Sequence, residues 1–458
     1  MTEKIIKLPD NVKKAIDILY AGGFSAYCVG GCVRDSLMGK IPHDWDITTS
    51  ALPEEIKTSF SDYKTIDTGI KHGTVTVLME GTPLEITTYR KEGIYSDHRH
   101  PDKVDFSSDI REDLKRRDFT VNAMAYNHIE GFVDLYEGIA DLEIKTIRSV
   151  GKAENRFRED ALRIVRGIRF ASVLGFDIEK ETAEAMDKLK ADLKFVAAER
   201  ITEEFKKLIM GKNAAEILRE HSGIVCEFIP EIKEMIGCEQ ISRYHIYDVW
   251  EHTLKALEHS ITINADLETR LAVLFHDIGK PAVKIFDEEK GVNHFYGHAP
   301  VSAEITADIL TRLRFDNRTK DTVCRLIRRH DEKVPLKEIR VKRLIAAEGE
   351  ENFIRLLQLM ECDNSAKAEF VVQERASYTA DTLKILQQLR DEDACLSLKT
   401  LKLKGNDLID MGAKPGKNIG KILDEILDLV ITGQLKNEAA ALRDKAKKLL
   451  AMYPEDSR

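Results

Sequence analysis

Two stretches of this sequence set acids, arginines and histidines at spacings that could do chemistry. In "GGCVRDSLMGKIPHDWDITT", residues 30–49, paired glycines lead into Arg34, and Asp44 and Asp46 flank a tryptophan. The pattern predicts a strand carrying both acids, and residues i and i+2 of a strand share a face. Two carboxylates that close repel unless a cation lies between them. Magnesium, which takes a few carboxylates with phosphate oxygens and water, is the economical answer. Two such ions can activate an attacking hydroxyl and steady a departing pyrophosphate. The glycine turn lets backbone N–H groups approach a phosphate, and Arg34, in the first turn of the next helix, adds charge there. Glu85, on a later strand, is a candidate third carboxylate; its alternative is an idle solvent-facing acid.

The second stretch is rich in histidine: seven of the thirteen fall between His245 and His330. "VWEHTLKAL" supplies His252, "LAVLFHDIGKP" His276 and Asp277, "FYGHAPVSAE" His298, "RRHDEKV" His330 and "LMECDNSAKAE" Asp363. A lone histidine on an apolar helix is usually a hydrogen-bonded core residue. A His-Asp doublet after an apolar run, with further His and Asp on neighbouring helices, suits a divalent transition metal.

These residues need elements to hold them. The 458 residues exceed what one core usually encloses, so two to four domains are expected. Residues 9–21 read as an amphipathic helix, "SAYCVGG" as a strand into a turn, and "LPEEIKTSF" as a helix with Pro53 in its first turn. "HGTVTVLME" and "LEITTYR" alternate like paired strands. Residues 91–108 look irregular and polar. From about residue 150 the strand signal fades, and "RFREDALRIVRGIRFASVLGF" opens a long helical stretch with joints near 235–248 and 391–404.

Composition narrows the class. A net charge of -9 argues against a surface that coats nucleic acid indiscriminately, while leaving room for a local basic run such as residues 312–329. Seven scattered cysteines without a CxxC pair suggest reduced thiols, hence a cytoplasmic protein. There is no signal-peptide core and no apolar run of membrane-spanning length, so no membrane role is expected.

Strand, GG turn, helix and DxD strand, in that order, resemble the nucleotidyltransferase superfamily that includes DNA polymerase beta. "RRDFTVNAMAYN" at 116–127, "REDALRIVRGIRF" at 158–170 and "ERITEEFKKLI" at 199–209 narrow the resemblance to bacterial-type (class II) tRNA nucleotidyltransferases and their poly(A) polymerase relatives. It implies an α+β multidomain chain. A small α/β head (1–147) would be followed by an all-α neck that reads the base (148–210), a body (211–395) and a tail (396–458). It implies magnesium on Asp44 and Asp46, with the triphosphate on Gly31 and Arg34. Arg117, Asp118 and Asn122 would line the ribose and triphosphate site. Asp160 and Arg163 would read the base with Glu159 orienting them, and Arg166 and Arg169 would help hold the nucleotide. The segment "DHRHPDKVDF" resembles a flexible head element of the family. The order H…HD…D resembles the HD superfamily of metal-dependent phosphohydrolases, over about 245–365, with His252, His276, Asp277 and Asp363 as the minimal metal set and His298 and His330 as the extra ligands of a binuclear variant.

The base-reading assignment has a physical rationale. Asp160 and Arg163, three apart on one expected helix, would share a face. A carboxylate only accepts hydrogen bonds and a guanidinium only donates. Cytosine and adenine each offer an amino donor beside an acceptor, which one Asp–Arg pair satisfies, whereas uracil and guanine present the opposite sense.

The expected activity is template-independent addition of CCA to the tRNA 3′ end from CTP and ATP, with the acceptor stem gripped by its backbone shape. A poly(A) polymerase, a CC-adding or an A-adding relative shares the same motifs. A protein that is chiefly an HD hydrolase is the alternative of another class.

Overall fold

The computed structural model describes residues 5–91, 105–332, 337–392 and 394–452. The chain divides into two compact units, Met1–Ile232 and Lys233–Arg458.

The first unit is built on a seven-stranded sheet of order β3-β4-β5-β2-β1-β6-β7. The strands are β1 (Ala26–Val29), β2 (Asp46–Thr49), β3 (Lys64–Gly69), β4 (Thr74–Met79), β5 (Thr82–Thr88), β6 (Met124–Asn127) and β7 (Gly131–Asp134). All pairings are antiparallel except β2 with β5, which run parallel with Asp46 beside Glu85. Strand alternation divides β1 between two cores. Ala26 and Cys28 join an apolar cluster with Val12, Ile16 and Leu19 of α1 (Asp10–Ala21), Val33 of α2 (Gly31–Leu37) and Ile56 of α3 (Pro53–Ser59). Tyr27 and Val29 face the other way, onto Tyr89 and Leu114, the latter in α4 (Ile110–Lys115). A central strand buried on both sides fixes the register of its neighbours, because a one-residue slip would put every side chain on the wrong face.

A short helix α5 (Gly138–Glu143) leads out of the sheet, and helices α6 (Ala153–Glu159), α7 (Leu162–Leu174), α8 (Lys180–Leu189) and α9 (Ala198–Ile209) follow it. α9 packs along α7 and buries Ile201, Phe205, Leu208 and Ile209, each contributing roughly 1.5–3 kcal/mol.

Two sequence expectations are corrected. The expected continuous helix through "RFREDALRIV" breaks at Asp160, whose backbone is extended (φ -146, ψ 102). Its carboxylate accepts from Leu162 N at 3.1 Å, and this local bond competes with helix continuation and opens α7 instead. The stretch beyond residue 150 is also not wholly helical: Thr146–Ile147 pairs with Asp177–Ile178, and Ile285–Asp287 forms a hairpin with Val292–His294. These strands are two or three residues long, too short for alternation to register.

The second unit packs helices Val249–Thr262, Leu267–Phe275, His298–Arg312, Asn317–Arg329 and Glu350–Ser365 around buried Leu271, Phe275, Ile309, Ile327 and Phe353. A separate apolar cluster of Leu403, Leu408, Ile422, Ile426, Leu442 and Leu449 closes the C-terminal helices. No helix among the described residues is long and apolar enough to cross a membrane. Of the segment "DHRHPDKVDF", the part up to residue 104 lies outside the described residues.

Candidate functional site

The sheet, the segment that follows α4, and helices α7 and α9 line an open cavity of about 420 Å³. Asp46, Glu85, Arg117, Asp118, Asp160, Arg163 and Arg166 line it, so residues from four separated motifs meet in one place. β2 begins at Asp46, and Asp44 stands two residues ahead of it. Asp46, Ile47 and Thr48 all border the cavity, and Ile47 also belongs to the apolar core. Asp46's carboxyl is raised from its ordinary value, first by desolvation, then by Glu85, with Asp44 adding to the effect and Arg117 opposing it. An acid whose charge is disfavoured by two neighbouring acids belongs to a donor set that a hard divalent cation satisfies.

Positive charge converges on the same place. Gly30, not Gly31, carries the left-handed backbone of the turn (φ +78), and a Cβ there would come within 3.1 Å of Arg117 Nη1. Gly31 begins α2. Arg34 donates to Asn122 Oδ1 at 2.7 Å, which ties the first motif to the RRDFTVNA segment. Asp113, fully buried on α4, accepts from Arg116 (2.6 Å) and Arg117 (3.1 Å). Burial opposes the charge of Asp113, but Arg117 and Arg116 outweigh it and hold the carboxyl at about 2. Asp118 is likewise held at about 2: burial opposes its charge, and Arg166, with Nε at 2.7 Å, overcomes it.

The base-reading residues have other partners than helical spacing suggested. Arg163 donates to Glu159 at 2.7 Å and to the carbonyls of Arg156 and Arg116. Asp160 receives Arg200 of α9 at 2.8 and 3.3 Å. Glu204, one turn along α9, accepts from Arg166 (3.4 Å) and Arg169 (2.7 Å). Arg169 lies outside the cavity lining, with its guanidinium against Phe170.

In the second unit the six ligand-type residues are buried and gather into one cluster. His252 and His276 approach Asp277 Oδ2 at 3.5 and 3.2 Å. His298 and His330 approach Oδ1 at 3.3 and 3.9 Å. Asp363 Oδ1 lies 3.1 Å from His252 Nε2 and 3.7 Å from His276 Nε2. Each of the four histidines has Nδ1 on a backbone carbonyl: Ala366, Val273, Phe295 and Ile327 respectively. With Nδ1–H donating outward, each ring in its neutral form would aim an Nε2 lone pair into the cluster. Burial disfavours the charge of His276, but Asp277 and Asp363 outweigh it and raise its pKa to about 9. His276 Nε2 and Asp277 Oδ1 are buried without a hydrogen-bond partner, while Asp277 Oδ2 is ion-paired with Lys280 Nζ at 2.7 Å. Buried orphan acceptors are costly, and two triads sharing Asp277 are what divalent cations would satisfy. Gly279 makes the approach feasible: a Cβ there would lie 2.6 Å from Ser302 N, so only glycine lets the HDIGK turn pass against the His298 helix.

Sequence reasoning missed Asp113, Arg200, Glu204 and Lys280. Arg200 and Glu204 stand in the quoted "ERITEEF", and Lys280, which puts Nζ 2.7 Å from Asp277 Oδ2, stands in "HDIGKP". For Asp113, arginines three and four residues on were the available signal.

Residues 26–148 match the Poly A polymerase head domain, 175–236 the probable RNA and SrmB-binding site of polymerase A, and 249–368 the HD domain. The CCA-adding enzyme of Ligilactobacillus salivarius is 34% identical over 465 residues, covering 97% of this chain and 98% of that protein. That of Leuconostoc citreum is 52% identical over 218 residues, 47% of this chain and 54% of that protein. The crystal structure of the Bacillus stearothermophilus CCA-adding enzyme in complex with CTP superposes with a TM-score of 0.71 at 27% identity, covering 96% of this chain and 97% of that one.

Proposed function

The chain belongs to the family of CCA-adding enzymes, and from that premise we propose how its residues divide the work. The activity is nucleotidyl transfer: the tRNA 3′ end is completed to CCA from CTP and ATP, with release of pyrophosphate. The observation that carries the reading is the single cavity in which Asp46 and Glu85 face Arg117, Asp160, Arg163 and Arg166.

Asp44, Asp46 and Glu85 would hold the magnesium. When bound, it lowers the pKa of the attacking 3′-hydroxyl and steadies the charge that develops on the phosphate. Arg117, fixed by Asp113, and Arg34, fixed by Asn122, receive the triphosphate beside the Gly30–Gly31 turn. Arginine suits this task because its rigid fork matches phosphate oxygens. Asp118 keeps Arg166 charged and in place at the ribose side of the cavity. Asp160 accepts the amino group of cytosine or adenine, and Arg163 donates to the ring acceptor. Arg169 backs Arg166 through Glu204, which accepts from both. The head (1–147), neck (148–210), body (211–395) and tail (396–458) keep these roles apart, with the helical parts gripping the acceptor stem. A cytoplasmic site of action fits the scattered free thiols.

The test is to give the purified protein magnesium, CTP and ATP with tRNA transcripts ending before CCA, after C and after CC. Completion of all three to CCA is expected. Arrest after CC, or an open-ended run of A, would instead point to a narrower relative.

The His/Asp cluster favours a second activity. We propose that His252, His276, Asp277, His298, His330 and Asp363 hold divalent transition metal and support phosphoester hydrolysis. The two buried His/Asp triads that share Asp277, with Asp277 Oδ1 lacking a hydrogen-bond partner, are the basis for this. Metal content after dialysis against manganese or nickel, compared with an Asp277→Ala variant, tests the binding separately from the hydrolysis.

A further inference from the structure

Resting on the metal-binding reading of the His/Asp cluster, we propose that Lys280 is a built-in counter-cation. It competes with metal for Asp277 and so sets the metal concentration at which the centre fills. The two carboxylates of the cluster each carry a lysine, and they carry it differently. Lys367 donates to Asp363 Oδ2 at 2.5 Å, while His252 and His276 approach the other oxygen, Oδ1, at 3.1 and 3.7 Å. Lys280 puts Nζ 2.7 Å from Asp277 Oδ2, the same oxygen that His252 and His276 approach. Lys280 is buried, 5% exposed, so water and salt screen its charge little. A divalent ion held by His252, His276 and Asp277 Oδ2 has an ammonium on one of its own ligand atoms, and like charges that close repel strongly in a buried site.

Two features assign Lys280 to competition and not to the support of Asp277. The place of Asp277 is fixed without it. The turn that carries Asp277 is pinned where Gly279 N donates to Ser302 Oγ at 2.9 Å and Ile278 N to Phe275 O at 3.2 Å. Lys280 also has partners outside the cluster, Gln240 Oε1 at 2.7 Å and the ring of Phe295 at 5.5 Å. With a divalent ion on Asp277, the ammonium keeps these partners and is not left buried and unpaired.

The arrangement separates the two halves of the protein's chemistry. Lys280 and Lys367 neutralise both buried carboxylates, so the fold around the cluster does not need metal. Nucleotide addition can then proceed whether or not the His/Asp centre is loaded, and loading follows the metal concentration.

The experiment titrates manganese into the full chain and follows the free ion by electron paramagnetic resonance. Wild type, Lys280→Met, Lys280→Gln and Lys367→Met are compared, with thermal melting in EDTA for each. Manganese is expected to bind at least about tenfold tighter in K280M and K280Q, while both melt lower than wild type in EDTA. The same gain is expected in a His330→Ala background, which places it on the His252 side. K367M is expected to gain less, because its ammonium is on the oxygen that His252 and His276 do not approach. K280Q carries the comparison if K280M does not fold, since its amide can still reach Gln240. Weaker binding in the Lys280 variants would overturn the proposal and make Lys280 a support that orients Asp277. Unchanged binding, or an equal gain in K367M, would overturn it too. No manganese on wild type or on either Lys280 variant would instead strike the metal-binding reading, and this proposal with it.

Discussion

Asp46 and Glu85 are register partners on the only parallel pair of the seven-stranded sheet, β2 and β5, and both open into the same cavity. Parallel pairing at this point brings Glu85, thirty-nine residues later in sequence, beside the acid that the glycine turn delivers.

The crowding predicts opposite effects of one substitution. Glu85 helps raise the Asp46 carboxyl, so the charged pair costs stability above the ordinary carboxylate range, and the cost is relieved as pH falls through the raised value. Glu85→Gln is expected to raise the melting temperature in EDTA near neutral pH and to lower it relative to wild type in millimolar magnesium. Differential scanning calorimetry in both buffers checks this; the same shift in both would show that no cation is shared.

Asp113 and Asp118 predict an acid limit. Both are buried and held at about 2, below the usual carboxylate value near 3.8. Depressed carboxyls stabilise the fold above the unfolded value, and that contribution is lost as pH falls through the folded one. Stability should therefore drop between about pH 4 and pH 2, by roughly 2 kcal/mol for each group. Urea titrations across that window on wild type and Asp113→Asn would show a shallower decline in the variant.

Gly30→Ala would force an L residue into a left-handed backbone and press Cβ toward Arg117. About 1–2 kcal/mol of destabilisation is expected, with a larger fall in affinity for CTP than in melting temperature. Equilibrium binding of CTP in the absence of tRNA separates the two effects.

Gly279→Ala should damage the other centre. Its Cβ would drive the HDIGK turn away from the His298 helix, separating Asp277 from His298. Elemental analysis after manganese loading is expected to give fewer ions per chain in the variant than in the wild type, with nucleotide addition retained. Equal metal content would show that the cluster does not depend on that close approach.

Much of the head was legible because its signals are local. Paired glycines, an alternating strand and acids two apart each constrain their own few residues, and most elements around Asp46 fell where those patterns put them; Asp44, expected on the same strand, instead stands two residues ahead of β2. The break at Asp160 was not legible: its cause is a side-chain bond to Leu162 N that competes with a strong helical pattern. Arg200 and Glu204 lie about forty residues from the groups they hold, and helical periodicity shows which residues share a face without showing what that face meets. The histidine cluster was readable as a ligand set from residue types alone. What the sequence did not contain was the sharing of Asp277, whose two oxygens serve different histidine pairs.

The most direct test places nucleotide addition at one centre or the other. Wild type, Asp46→Ala and Asp277→Ala would each be given magnesium, CTP, ATP and a tRNA transcript lacking CCA, and the 3′ ends read over time. The account predicts loss of addition by a factor of about a thousand or more in D46A, where an acid of the proposed magnesium site is gone, and addition at wild-type rate in D277A. Retained addition in D46A, or its loss in D277A with the fold intact, would contradict it.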